Sequence, residues 1–179
     1  MRRIELPYAK SLANRVMLLR ALRGESLPLA DSLWNDDMHA MLRVLKAPVG
    51  PDGVRRADAG PAGTAYRFGM AYWAAQPGAE VVLCGDARMR ERPITPLVEA
   101  LRRLGASFDA VPEGWRIQGV QWPLGEVEVD ARESSQFASA LVLVASVAAP
   151  NLNVVTSLGV SSPPYLAMSY QLAARAELG

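Results

Sequence analysis

Three segments of the sequence begin with small or hydroxylated residues and continue as apolar helices. They are SLANRVMLLRAL from Ser11, GTAYRFGMAYWAA from Gly63 and SSQFASALVLVASVAA from Ser134. The first turn of a helix offers unpaired N–H groups and about half a positive charge, so it stabilises an anion. If the three starts lie on one side of the molecule, they form a site for phosphate or carboxylate groups.

Basic and polar side chains near these starts suit that chemistry. Arginine forms paired hydrogen bonds with carboxylates and phosphates, lysine supplies a compact charge, and hydroxyl and amide groups add neutral hydrogen bonds. Serine and threonine are also preferred helix caps, so each of them has a structural explanation as well. The candidate residues at the helix starts are Lys10, Ser11, Arg15, Thr64, Arg67, Ser134, Ser135 and Gln136.

A further candidate is the segment GDARMRERP at 85–93, which carries three arginines at alternate positions. We expect the segment to be extended, with Arg88 and Arg92 facing one pocket, because two guanidinium groups suit a phosphate or carboxylate ligand. The alternative is a solvated loop in which the arginines pair with Asp86 and Glu91.

Charge and composition exclude several other classes of protein. The 179 residues include 19 basic and 18 acidic side chains, a balance that draws the protein to neither nucleic acid nor an anionic membrane. One cysteine, Cys84, and one histidine, His39, form neither an internal disulfide nor a metal cluster. With no long apolar run and no signal-peptide pattern at the start, the sequence predicts a soluble, cytoplasmic protein.

The three apolar helices belong to a threefold internal repeat. Each precedes a short strand candidate, and each strand candidate precedes an amphipathic helix. The strand candidates begin at Ser26, Ala79 and Asn151, and the second helices begin at Asp36, Thr95 and Pro163. Alternating helices and strands without long linkers predict one α/β domain of three related subunits, roughly 6–60, 61–125 and 126–179.

The second repeat has the clearest boundaries. Thr95 followed by Pro96 predicts a helix cap and a first helical residue, and Gly105 predicts the end of that helix. Residues 107–120 then read as a hairpin, and an alternating strand follows from Glu126. The first repeat has only a Gly/Pro-rich stretch where such a hairpin would lie, and the third ends at its helix.

Several segments together resemble one family, the 5-enolpyruvylshikimate-3-phosphate (EPSP) synthases, also called 3-phosphoshikimate 1-carboxyvinyltransferases. LPYAKSLANRVMLLRAL resembles the family's opening segment with its Lys-Ser and Asn-Arg pairs, and AGTAYR at 62–67 resembles its Ala-Gly-Thr-Ala-x-Arg turn. GDARMRERPITPLVEALRRLGA resembles its arginine loop and following helix, SSQFASALVLVA its Ser-Ser-Gln helix, and SSPPY its Ser-Lys-Pro-Tyr segment. The matches run from Leu6 to Tyr165 in family order.

The resemblance implies a domain of three βαβαββ-type units, with buried parallel helices and outer sheets. It also implies transfer of the enolpyruvyl group from phosphoenolpyruvate to the 5-hydroxyl of shikimate 3-phosphate, with release of phosphate. This step of aromatic amino-acid biosynthesis uses no metal or organic cofactor. The implied partners are the two substrates, with neither nucleic acid nor membrane.

The family's functional residues carry over position by position. Lys10 and Arg92 match catalytic contacts to phosphoenolpyruvate, and Gly63 and Thr64 form the adjoining turn, where glyphosate competes in this family. The matches to shikimate 3-phosphate contacts are Ser11, Arg15, Ser134, Ser135, Gln136, Ser162 and Tyr165.

Three positions depart from the family pattern. Pro61 replaces an Asn or small residue, Tyr66 replaces a common Met, and Pro163 replaces a Lys, which removes a charge near the phosphate site. Family members are also more than twice as long and close two domains over their substrates. This sequence resembles the phosphoshikimate-binding domain and lacks the segments of the partner domain, so we expect weak substrate binding without turnover.

Two alternatives remain open from the sequence. One is a non-catalytic binding or interaction module that has the same fold. The other is a protein like the UDP-N-acetylglucosamine enolpyruvyl transferases, which resemble this family in fold but carry a reactive cysteine in the arginine loop. Cys84 precedes that loop, and we expect it to be buried and inert.

Overall fold

Helices and strands alternate along the part of the chain that the computed structural model describes, residues 8–27 and 33–177. The helices there are α1 (Lys10–Leu22), α2 (Asp36–Leu45), α3 (Gly63–Ala74), α4 (Ala87–Glu91), α5 (Thr95–Arg103), α6 (Ser135–Ala148) and α7 (Pro163–Glu177). The strands there are β1 (Arg55–Asp58), β2 (Glu80–Cys84), β3 (Ser107–Val111), β4 (Gly114–Gln118), β5 (Gly125–Val129) and β6 (Leu152–Thr156). The predicted α/β class is confirmed.

The strands form two sheets. The four-stranded sheet has the order β1-β2-β4-β3, in which β1 runs parallel to β2 and β4 runs antiparallel to both of its neighbours. The second sheet pairs β5 with β6 in parallel, Val127 opposite Val154. Parallel neighbours need a crossover connection, and the crossovers here are α3 and α6. Two βαβ units therefore carry two of the three apolar helices.

The core lies around α1, α3 and α6, which pack against one another. Phe68 and Met70 on α3 and Leu141 and Leu143 on α6 are fully buried. Each such side chain contributes about 1.5–3 kcal/mol of burial energy, and burial on nearly all sides leaves these helices little freedom to move. At Gly69 a Cβ would lie 2.4 Å from Val44 Cγ1, so a side chain there would force α2 away from α3. The packing fixes where the helix starts stand.

Most of the predicted elements are present. The hairpin is confirmed as β3 and β4, and the strands predicted from Ala79 and Asn151 are confirmed as β2 and β6. Asn35 caps α2 by accepting a hydrogen bond from the Met38 amide, 3.2 Å away. The strand predicted from Ser26 lies largely outside the described residues.

Three local predictions are wrong. The segment at 85–93 is not extended, because Asp86 accepts a hydrogen bond from the Met89 amide at 2.7 Å and caps α4. Thr95 is the first residue of α5 rather than its cap, which is Ile94 and makes no side-chain cap bond. The Gly/Pro-rich stretch of the first repeat contains β1, because the edge of β2 supplies a parallel partner for it.

Among the residues that the structure describes, no helix has both the length and the hydropathy needed to span a bilayer.

Candidate functional site

The starts of α1, α3 and α6 converge on one cavity of about 440 Å³. The predicted site residues that line it are Lys10, Ser11, Arg15, Gly63, Thr64, Arg92, Ser134, Ser135, Gln136, Ser162 and Tyr165. The convergence of the three helix starts is thus confirmed. It follows from the packing of α1, α3 and α6 against one another, since residues of the first turn of each helix line this cavity.

The hydroxyl groups at the helix starts have two different roles. Ser134 caps α6, and its Oγ accepts a hydrogen bond from the Gln136 amide at 3.3 Å. Ser11 and Thr64 are second residues of their helices, where the N-cap residues are alanines that cannot provide a side-chain cap. The capping explanation therefore accounts for Ser134 but not for Ser11 and Thr64.

Arg15 is a buried cation in the cavity wall, with 2% of its surface exposed. Its Nε donates to Ser169 Oγ at 2.8 Å, and its two Nη atoms donate to the carbonyl oxygens of Ser11 at 2.6 Å and Tyr165 at 3.1 Å. The guanidinium also lies 5.4 Å from the ring centre of Phe68. No ion pair forms with a carboxylate of the described residues, and burial lowers the pKa of Arg15.

Arg67 is a second buried cation, 6% exposed, but it does not line the cavity. Its guanidinium stacks over the Phe137 ring at 5.5 Å and donates to Gln136 Oε1 at 3.0 Å. Burial, and then the positive charge of Arg92, lowers the pKa of Arg67. Within the described part of the chain, Arg67 likewise lacks a carboxylate partner. A bound anion would stabilise both buried charges.

Charges of both signs lie at the rim. Lys10 and Arg92 line the cavity together with two carboxylates that the sequence analysis did not include, Asp37 and Glu133. Lys10 Nζ lies 3.4 Å from Asp37 Oδ2, and the Lys10 side chain is 64% exposed. Nothing in the sequence spacing marks Asp37 as a neighbour of Lys10, because α2 comes beside α1 only through tertiary packing.

Two residues singled out from the sequence lie away from the cavity. Arg88 is exposed on α4 and does not line the cavity, whereas Arg92, the C-cap residue of α4, does. Cys84 ends β2 and is half-buried rather than buried as expected, and burial is the largest cause that raises the pKa of its thiol. A thiol held in the protonated form is a poor nucleophile, as expected for an inert cysteine.

The wall next to α7 contains a strained residue. Ser162 has a φ of 49°, in the left-handed region that residues other than glycine rarely adopt. Pro163 follows as the first residue of α7. Such a backbone conformation costs of order 1–3 kcal/mol and occurs preferentially at ligand-binding sites.

Taken together, the arrangement suits an anionic ligand. First-turn N–H groups of three helices, the buried guanidinium group of Arg15 and the cations of the rim surround one polar cavity, and the guanidinium group of Arg67 lies behind its wall. The described residues hold no group of His, Cys, Asp or Glu side chains that could bind a metal ion. The fold and the cavity thus define an α/β protein with a polar cavity, lined by cationic and hydroxyl side chains, at converging helix starts.

Comparison with known proteins places this architecture in a family. A family model described as EPSP synthase (3-phosphoshikimate 1-carboxyvinyltransferase) matches residues 51–176. The chain therefore belongs to the EPSP synthase family. An EPSP synthase structure from Acinetobacter baumannii superposes with a TM-score of 0.59 at 21% identity, covering 81% of this chain and 38% of that one. This similarity supports the fold.

Curated relatives agree with the family. A Bacteroides fragilis protein named 3-phosphoshikimate 1-carboxyvinyltransferase is 36% identical over 176 residues, which cover 94% of this chain and 41% of the relative. A protein of the same name from Citrobacter koseri is 34% identical over an alignment of 194 residues, gaps included, which covers 94% of this chain and 45% of the relative. The chain spans less than half the length of these relatives.

Proposed function

We propose that this chain, as a single domain of three related subunits, binds shikimate 3-phosphate in the cavity. In this proposal it contributes that half of the site in which enolpyruvyl passes from phosphoenolpyruvate to the 5-hydroxyl group. The observation that carries the proposal is the pair of buried guanidinium groups, Arg15 and Arg67, without carboxylate partners in the described chain, beside the converging helix starts. The names of the curated relatives support this choice of substrate.

Each side of the cavity suits one substrate. Ser11, Arg15 and Tyr165 form the side that we assign to shikimate 3-phosphate, where the helix start and the guanidinium neutralise the phosphate. Ser134, Ser135, Gln136 and Ser162 would provide neutral hydrogen bonds to the ring hydroxyls.

We assign the other side to phosphoenolpyruvate. Lys10 and Arg92 lie at the rim, beside the first turn of α3. In the reaction, the 5-hydroxyl oxygen forms a bond to C2 of the enolpyruvyl group, the C–O bond to phosphate breaks, and the hydroxyl proton is released with the phosphate. Cations fixed in place stabilise the departing phosphate.

The proposal is tested by titrating the chain with shikimate 3-phosphate, following backbone and side-chain amides by NMR. We expect saturable shifts at the starts of α1, α6 and α7, with a Kd near millimolar, about 4 kcal/mol. Shikimate without phosphate should bind more weakly. No saturable shifts, or equal shifts with both ligands, would contradict the proposal.

Arg55→Met is the matched control for substitutions of the two buried arginines, Arg15 and Arg67. Arg55 also stacks on an aromatic ring, Trp73 at 5.4 Å, and donates to a carbonyl oxygen, Ala47 at 2.6 Å, but it lies outside the cavity. We expect this variant to bind as the unmodified chain does. A phosphate-release assay with both substrates tests the further expectation that the chain does not turn over by itself.

A further inference from the structure

Arg67 connects three segments of the site without lining the cavity. Its Nη1 atom donates hydrogen bonds to Gln136 Oε1 at 3.0 Å and to the Gly63 carbonyl oxygen at 3.3 Å. The Nη2 atom lies 3.5 Å from the Pro93 carbonyl oxygen, next to Arg92. One buried guanidinium therefore contacts the start of α3, the start of α6 and the loop that carries Arg92.

The orientation of the Gln136 amide follows from the chemistry of arginine. A guanidinium has only donors, so the amide oxygen of Gln136 must face Arg67. The amide nitrogen then faces the other way, and it donates to Thr64 Oγ1 at 3.2 Å. Its second N–H remains for a ligand, because Gln136 lines the cavity.

The same argument extends to Thr64. Its oxygen accepts the hydrogen bond from Gln136, so the hydroxyl proton is directed to another acceptor. Thr64 also lines the cavity, and no helix cap uses its hydroxyl. The hydrogen bonds therefore run in one direction, from Arg67 through Gln136 to Thr64, and both cavity residues present donors.

We propose that Arg67 is a positioning residue that fixes the Gln136 amide, so that Gln136 and Thr64 direct an amide N–H and a hydroxyl proton to the ligand. This inference rests on the proposed function for the identity of the ligand. It adds a specificity rule to that function, namely that this wall favours oxygen atoms that accept, such as those of phosphate, carboxylate or an ether. A ligand that offers only a donor at that point would leave the Gln136 N–H unpaired.

The first test needs no ligand. In the free chain, the two side-chain amide protons of Gln136 should give distinct signals. These signals should show nuclear Overhauser effects to the Thr64 methyl group. We expect Arg67→Met to remove this contact and shift the amide signals, while Arg55→Met leaves both unchanged. An unchanged Gln136 amide in Arg67→Met would overturn the proposal.

The second test is a double-mutant cycle on the affinity for shikimate 3-phosphate. We expect Arg67→Met and Gln136→Leu each to weaken binding by about tenfold, and the double variant to bind no more weakly than Gln136→Leu alone. Additive losses would show that Arg67 acts independently of Gln136 and would contradict the proposal. If Arg67→Met does not fold, Arg67→Lys takes its place, because lysine retains the charge but lacks the fork.

The two tests separate this proposal from the proposed function. If the unmodified chain does not bind shikimate 3-phosphate, the proposed function fails, while the amide signals of the free chain still decide the role of Arg67. If the chain binds but the cycle is additive, only the role of Arg67 fails.

Discussion

Two buried arginines of this protein have similar surroundings and different positions relative to the ligand cavity. Arg15 and Arg67 are both almost fully buried, both stack on aromatic rings, and within the described residues neither pairs with a carboxylate. Arg15 lines the cavity, whereas Arg67 lies behind Gln136. Burial and the lack of a carboxylate partner are therefore common to both, and only the geometry shows that Arg15 can contact a ligand in the cavity whereas Arg67 can support one through Gln136.

The difference arises from the elements that each arginine joins. Arg15 links α1 to α7 through Ser169 and the Tyr165 carbonyl, and its guanidinium remains at the wall. Arg67 bridges the two crossover helices, α3 and α6, and the side chain of Gln136 covers it. The affinity for a ligand in the cavity should therefore depend directly on Arg15 and indirectly on Arg67.

The largest expected effect is that of Arg15→Met. The substitution removes a charged donor from the cavity wall, worth about 1.5–3 kcal/mol, so shikimate 3-phosphate should give no saturation at concentrations that saturate the unmodified chain. The fold should be retained, because α6 packs against both α1 and α7 and the Tyr165 carbonyl oxygen still accepts a hydrogen bond from Ser169 Oγ at 3.1 Å. The NMR titration measures the affinity, and a thermal melt shows whether the fold is retained. Unchanged affinity in a folded variant would remove Arg15 from the site.

A smaller effect is expected for Gly63→Ala, which perturbs the Arg67 side only. The new Cβ would lie 2.7 Å from Arg67 Nη1 and 3.1 Å from Arg92 Nη1, so at least one guanidinium must move. We expect the affinity for shikimate 3-phosphate to fall about fivefold, or about 1 kcal/mol, with a shift of the Gln136 side-chain amide. Gly53→Ala is the control for affinity but not for stability, because no atom lies within 4 Å of the new Cβ on this surface turn, whereas the φ of 78° strains any side chain there. An undisturbed amide signal would argue against tight coupling between Gly63 and Arg67.

Asp37→Asn tests the rim beside Arg15. Unlike the two preceding variants, it should raise the affinity for an anionic ligand. Asp37 lies 3.4 Å from the exposed Lys10 ammonium and competes with an anionic ligand for it. Exposed ion pairs contribute up to about 1 kcal/mol, so we expect inorganic phosphate to bind about two- to threefold more tightly. Isothermal titration at low salt is the measurement. Weaker binding would mean that Asp37 holds Lys10 in place for the ligand.

The smallest effect on binding concerns Tyr66, which precedes Arg67 on α3. Burial raises the pKa of Tyr66 to about 12, and the phenol is 1% exposed. The folded state thus favours the neutral phenol, and its contribution to stability is complete below pH 10 and is lost as the pH rises towards 12. Relative to Tyr66→Phe, the unmodified chain should lose at most about 1.4 kcal/mol per pH unit above pH 10.

Urea unfolding of both proteins between pH 8 and 12 measures this difference. Other titrating groups, including Tyr72, are common to the two proteins and cancel in the comparison. Parallel stability curves across the whole range would show that the phenol is not in a dry environment. Binding at neutral pH should be the same for both proteins if the Arg67 side is unaffected.

Local sequence patterns were sufficient for much of the fold. The continuous apolar faces predicted the buried helices α3 and α6, since a helix that is apolar on nearly all sides must lie inside. The alternating residues of β3 and β4 predicted their hairpin, because residues close in the chain pair without long-range information. The extended prediction for 85–93 failed because the Asp86 cap outweighed the alternation of arginines.

The sequence by itself determined the residue types of an anion site, their order along the chain and their place at helix starts. Tertiary structure alone decided which of them share a wall. Arg15 and Arg67 hold similar positions in their helices. Arg15 contacts α7 and lines the cavity, whereas Gln136 on α6 covers Arg67. These contacts join residues far apart in the chain, so they depend on how helices pack and cannot be found in spacing.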